Sequence, residues 1–247
     1  MPHPPAVASP VATELAQALR AAADPEKAKA YQRFFKTGPV EYGEGDVFIG
    51  VAVPAIRALA KTHAPRAQDA DVRELLQSPI HEERLLALLL WVEQSRRAAK
   101  RGDRERVLTI ARRYEEYIER ANNWDLVDTS AEPILAPAYG LEGFAVWSQW
   151  LTAAESSLWR RRVAILASFS FARQNRPDLS VQIAELAIVH RHPLLQKATG
   201  WLLRDMNQRC GGAWLTDFLT AHHKTLGRTA LRTAIEHFSP EDRKRWM

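Results

Sequence analysis

The chain holds one cysteine, Cys210, in 247 residues. A single thiol excludes an internal disulfide and a cysteine-built zinc site, and it fits a reducing compartment. Next to Gly211 and Gly212, Cys210 reads as a small apolar filler. Glycine is scarce, at 11 residues, and few segments alternate apolar with polar side chains, which argues against a β-rich fold. No apolar run approaches the ~20 residues that a membrane-spanning helix needs; the longest covers only residues 85–92. The N-terminal dozen residues carry four prolines and no basic stretch followed by an apolar core. Residues 1–11 are therefore expected to be a disordered tail, not a signal peptide, and residues 12–247 a single domain. The expected location is the cytoplasm, beside the nucleoid if the source is bacterial.

What the chain does contain is helical periodicity almost from end to end. Helices are expected at 12–22, 25–36 and 54–63, and then near 69–77, 80–99, 101–120, 123–136, 141–153, 156–174, 178–190, 193–209, 212–222, 227–237 and 239–246. Asp24 can cap the helix that Pro25 opens. Connectors are short and marked by Pro or Gly, so neighbouring helices should lie antiparallel. From about residue 69 the helix pairs recur every 35 to 45 residues, the range of HEAT and armadillo repeats. The expected fold is all-α, a HEAT-like solenoid of antiparallel helix pairs with a concave basic face. A compact helical bundle would also satisfy the pattern.

The formal net charge, +5, is too small to identify a partner by itself, and its placement matters more. Residues 156–177, 186–204 and 219–233 contain basic side chains and no carboxylate. They fall at equivalent places in consecutive helix pairs, so a solenoid would align them as a stripe. A stripe of that kind suits a phosphate backbone, because each contact releases condensed counterions. Residues 96–120 instead mix both signs, as a solvated face does. The adjacent His222 and His223 diverge by about 100° on a helix and make poor joint ligands. No metal or other cofactor is expected.

One segment, from Asn122 to Asp128, stands out. Asn122 or Asn123 can cap a helix in which Asp125 occupies the first turn. Trp124 and Asp128 are four residues apart and share a face, while Leu126 and Val127 supply a burying one. Farther on, Arg162 follows Trp159 by one turn, and Trp201 sits in Lys197-Ala198-Thr199-Gly200-Trp201-Leu202-Leu203-Arg204, where Gly200 would allow close packing. A tryptophan on a helix is more often packing than chemistry, and that is the reading for Trp91, Trp147, Trp150 and Trp214.

In order and spacing, the segments WDLVD, WRRRVAIL and KATGWLLRD resemble the signature blocks of the AlkD-like DNA alkylation repair family. The stretch Phe48–Arg57 resembles that family's F-x-G-[VI]-x-x-P-x-x-R segment, and Asp24-Pro25-Glu26-Lys27-Ala28 resembles its second-helix start. The resemblance spans about residues 12–240. It implies a HEAT-repeat DNA glycosylase that excises cationic N3- or N7-alkylated purines from duplex DNA, need not flip the base, and requires no cofactor. It further implies Asp128 as the catalytic aspartate, Trp124 and Trp201 as the site tryptophans, and Arg162 as the site arginine. Arg161, Lys197, Arg204 and Phe34 are the accompanying DNA-contact candidates. Phe34 falls where some relatives carry a tyrosine, and Asn123 where some carry a tryptophan. The expected partner is double-stranded DNA with alkylated bases, met by a monomer with no membrane involvement. Two alternatives stand beside this one: a non-catalytic repeat protein that binds damaged or branched DNA, and a scaffold for protein partners.

Overall fold

Proline and oxygen-bearing side chains decide where the helices start. In a computed structural model that describes residues 9–247, Asp24 accepts the Glu26 and Lys27 N–H groups at the start of α2 (Pro25–Phe34). Asp103 does the same for α6 (Arg104–Glu116) and Ser157 for α9 (Leu158–Ala167). These caps satisfy amides that a helix cannot pair internally. Proline also opens α1 (Pro10–Ala21), two residues earlier than periodicity alone indicated, because its fixed φ suits the first helical position. The expected disordered tail otherwise falls on residues 1–8, which lie outside the described residues. Among the described residues no strand forms; a lone parallel bridge joins Val47 to Ile80.

The chain divides into two units, Met1–Ser130 and Ala131–Met247. The first is built around α5 (His81–Lys100), against which α3 (Val53–His63), α4 (Asp69–Gln77) and α6 pack. From His81 to Val92 every residue of α5 is buried, as expected of a helix apolar nearly all round. Each large side chain removed from water there contributes roughly 1.5–3 kcal/mol. Ahead of α3, the segment 46–51 has no regular structure, yet it is packed. Gly50 has φ +84°, and a Cβ there would lie 2.1 Å from the Asp24 carbonyl oxygen. Only glycine meets both demands.

The second unit stacks in two layers. One contains α8 (Gly143–Thr152), α11 (Pro177–Ala187) and α13 (Trp214–His222). The other contains α9, α12 (Pro193–Cys210) and α14 (Arg228–Ala234). α8 packs on α9 and α11 on α12, and within each layer successive helices touch, the stacking of an α-solenoid. Gly200 of α12 faces α14, where a Cβ would come within 2.5 Å of the Ala230 carbonyl, so the close packing read from the sequence is present.

Element boundaries differ from expectation in two informative places. The expected helix 156–174 is broken at Ser168 into α9 and α10 (Phe169–Arg173), and Ser168 turns its hydroxyl back to the Ala164 carbonyl. Conversely, α7 (Trp124–Tyr139) runs through Pro133 and Pro137 instead of stopping before the second one. The short α15 (Pro240–Trp246) completes the chain.

Candidate functional site

The first turns of α7 are set by Asn123. Its backbone carbonyl accepts the Val127 N–H, its Oδ1 accepts the Trp124 N–H at 2.8 Å, and its Nδ2 donates to Asp46 at 3.0 Å. Asn123 is wholly buried, so the residue noted as a departure from some relatives ties the helix start to the loop at 46. Leu126 and Val127 are buried, while Trp124 and Asp128 are half-buried, as their spacing requires. Asp128 is close enough to Tyr114 for its charge to matter. Burial, and then the field of Asp128, push the Tyr114 hydroxyl far above its ordinary pKa. That hydroxyl pairs with the Ser130 hydroxyl at 3.0 Å.

Trp124 heads a chain of aromatic rings. Its indole stacks on Phe35 (centroids 5.1 Å apart), Phe35 stacks on Phe48 (4.9 Å), and Phe48 stacks on the His81 imidazole (4.3 Å). Phe34 meets Trp124 edge-on at 5.8 Å and is 64% exposed, a large apolar ring left open to solvent. It supplies an aromatic contact beside Trp124 but has no hydroxyl to offer.

Beneath these rings lies a buried charge network. His81 Nδ1 is 3.0 Å from Asp46, and its Nε2 is 2.8 Å from Asp125. Burial opposes the imidazolium, but the hydrogen bonds and charges of Asp125 and Asp46 outweigh it, so the His81 pKa is raised. For Asp46 burial likewise opposes the charge, and His81, Arg84 and Asn123 together hold its pKa below the ordinary value. Arg84 pairs with Asp46 and donates to the carbonyls of Ser78 and Pro79. The neighbouring Glu82 accepts the backbone N–H groups of Ile49, Gly50 and Val51.

In the second unit the basic candidates lie on the α9–α12–α14 layer. Arg162 is 1% exposed and donates to the Leu194 carbonyl. Arg161 donates to the carbonyls of Ala153 and Ala154, just beyond α8. Trp201 is half-buried, with the exposed Lys197 ammonium 5.4 Å from its ring centre. Trp201, Lys197, Arg204 and Arg232 line one shallow depression, in which Arg204 is paired with Glu236. Of the four tryptophans assigned to packing, Trp91, Trp147 and Trp150 are buried. Trp214, at the first position of α13, is 41% exposed, which corrects its assignment to packing.

The sequence model of the DNA alkylation repair enzyme family matches residues 15–238. The chain belongs to the DNA alkylation repair enzyme family. No curated protein sequence matches it. Among solved structures, it is similar to a predicted DNA alkylation repair enzyme from Enterococcus faecalis. The TM-score is 0.66 at 18% identity, over 88% of this chain and 97% of that one, a likeness of fold.

For a DNA alkylation repair enzyme, the sequence blocks located Trp124, Asp128 and Phe34 but not what holds them. Asp46, His81, Glu82, Arg84 and Phe35 carry no recognisable motif. The one available signal was the run His81-Glu82-Glu83-Arg84 at the head of the most apolar stretch in the chain. Four ionisable residues before an unbroken apolar helix must either face water or find partners, and here all four are buried and partnered.

Proposed function

We propose that this repair enzyme is a monofunctional DNA glycosylase. It would hydrolyse the N-glycosidic bond of cationic N3- or N7-alkylated purines in duplex DNA, without flipping the base out of the stack. The observation that carries this reading is the Trp124–Asp128 pair, half-buried and one turn apart on α7, in a chain of this family.

Alkylation at N3 or N7 places a positive charge on the base and weakens the bond to C1′. As that bond breaks, its electron pair moves onto the base, which leaves neutral, and the sugar acquires oxocarbenium character. The Asp128 carboxylate opposes that positive charge and takes a proton from the water that attacks C1′. The indole face of Trp124 adds attraction for the same charge, about 0.5–2 kcal/mol, and Trp201 offers an indole to the bound DNA. Phe34 extends the aromatic surface beside Trp124. Lys197, Arg161 and Arg204 are assigned to backbone phosphates, which position the duplex without reading sequence.

The test is release of free 7-methylguanine or 3-methyladenine from methylated duplex DNA. Asp128→Asn should lower single-turnover excision by about 10²–10³-fold, the loss typical when transition-state charge stabilisation is removed, while DNA affinity stays within about threefold. A folded wild-type protein that binds methylated duplex and releases no base would replace this reading with that of a non-catalytic damage binder. The missing hydroxyl at Phe34 is the feature that favours that second reading.

A further inference from the structure

At the end of α5 farthest from the aromatic rings, basic side chains converge on a second cavity of the first unit. Gln94 and Arg97 of α5, Arg101 at its C-cap, Arg106 of α6, and Ala64 and Ala67 from the connector between α3 and α4 line it. The pocket has a volume of about 210 Å³ and a mostly polar surface. Arg97 follows His81 on the same helix at a distance of about 24 Å along the axis, at ~1.5 Å per residue. Residues 96–120 mix both signs in the sequence, yet none of the acidic residues in that stretch belongs to the lining.

The carbonyl groups that would repel an anion here are each engaged by a donor. Gln94 Nε2 donates to the Ala64 and Ala67 carbonyls at 3.1 and 2.7 Å, and Arg97 donates to the Lys61 carbonyl at 3.1 Å. At the end of α5 the carbonyls of Arg97, Ala98 and Ala99 accept the N–H groups of Arg101, Gly102 and Asp103. Donors, by contrast, are left over. Arg97 Nε is buried with no hydrogen-bond partner among the described residues. The exposed Arg101 guanidinium pairs with no carboxylate or carbonyl among them. Arg106 holds both oxygens of Asp69, at 2.9 and 3.2 Å, and reaches Gln94 Oε1 at 3.0 Å. Asp103 caps α6 and is not part of the lining. Three guanidiniums against the Asp69 carboxylate leave an excess of two positive charges. Their mutual repulsion, and the orphaned Nε–H, are costs that a bound anion relieves.

We propose that this pocket, formed by Arg97, Arg101 and Arg106 around Gln94, binds the terminal phosphate of a phosphomonoester. Guanidinium forks match phosphate oxygens in pairs, a geometry that lysine does not offer. A monoester carries about two negative charges at neutral pH, the excess that the lining leaves open; a backbone diester carries one. The volume falls short of the roughly 300–1,000 Å³ of sites that enclose a drug-sized molecule. It suits a phosphate group and the first atoms of its ester, with the remainder of the ligand outside. Two sources share that chemistry, a free nucleotide and the 5′-phosphate at the end of a DNA strand. The site stands whether or not the protein is a glycosylase, since it uses none of the residues assigned to that reaction.

Calorimetric titration of the full chain with thymidine 5′-monophosphate, at about pH 7.5 and low ionic strength, tests the proposal. Thymidine and dimethyl phosphate serve as controls for the nucleoside and for a singly charged diester. The monophosphate should bind at least about tenfold tighter than either, the factor expected for charge-assisted contacts. Arg101→Glu, at an exposed position without an ion pair, should remove that binding and leave the circular dichroism melt unchanged. Arg101→Gln, which loses the charge without reversing it, should weaken binding by about tenfold. Lys197→Ala, in the second unit, should leave it unaltered. Absence of binding, equal affinity for the monophosphate and either control, or binding untouched by both Arg101 variants would each overturn the proposal. Binding lost in Lys197→Ala would do the same, by moving the phosphate to the α12–α14 depression. With binding established, a 5′-phosphorylated duplex held at least about threefold tighter than its 5′-hydroxyl counterpart, a gap closed by Arg101→Glu, identifies the strand end as the source. Equal affinity for the two duplexes identifies the free nucleotide.

Discussion

Replacing Asp46 by alanine is the sharpest way to test whether the buried network holds the site together. Asp46 is 5% exposed and accepts from His81, Arg84 and Asn123. In Asp46→Ala, Arg84 keeps only the carbonyls of Ser78 and Pro79, and His81 keeps only Asp125. Truncating one partner of a buried ion pair costs about 3–5 kcal/mol, because the other charge is left behind without compensation. The hydrogen bonds lost to His81 and Asn123 belong to the same network, so their loss is contained in that figure. At about 2–4 °C per kcal/mol for a chain of this size, Tm should fall by roughly 6–20 °C. Asp46→Asn, which keeps a carbonyl oxygen for one donor, should lose less. Urea titration followed by far-UV circular dichroism measures both. A loss below about 1 kcal/mol for the alanine variant, the level of an exposed ion pair, would refute the claim that these charges are interdependent.

Two further outcomes follow from the same geometry. The raised His81 pKa means that its contribution is fully present below about pH 6.5, the unfolded value, and is lost as pH rises through the folded one. The lowered Asp46 pKa means that its contribution is present above about pH 4 and is lost as pH falls through the folded value. Stability measured against pH should therefore decline on both sides, and His81→Gln should abolish the alkaline decline; an unchanged profile would remove His81 from the account. On the second unit, Lys197→Ala and Arg232→Ala should each reduce the slope of log affinity for duplex DNA against log salt by about one. Slopes equal to wild type would take the α12–α14 depression out of the DNA interface.

Much of the architecture was legible because a repeat protein writes it in short-range periodicity. The α9–α12–α14 layer coincides with the carboxylate-free basic stretches, and Gly200 marks the close approach of α12 and α14. Trp124 and Asp128 could be paired from spacing alone. The support beneath them could not, since it depends on contacts between residues 31 to 77 positions apart. Charges at a helix head, such as His81 to Arg84, ordinarily read as a solvated first turn. Their burial follows only when the loop at 46–51 folds over them. Trp214 failed for the opposite reason: an apolar ring at a helix start reads as packing, yet it is 41% exposed.

The segment that contributes Ile49, Gly50 and Val51 has no repeating hydrogen-bond pattern, and by inspection of the chain trace it would be counted as a connector. Its amide hydrogens nevertheless point at one buried carboxylate, at 3.1, 2.7 and 3.3 Å. Losing all three would leave a buried charge uncompensated, so the three should open together with the head of α5. In deuterium exchange these amides should be as protected as those of a helix interior, and slower than the exposed turns of α2. Where such a connector exchanges at the rate of the core, insertions and proteolytic cuts will be tolerated almost anywhere else on the surface before they are tolerated there.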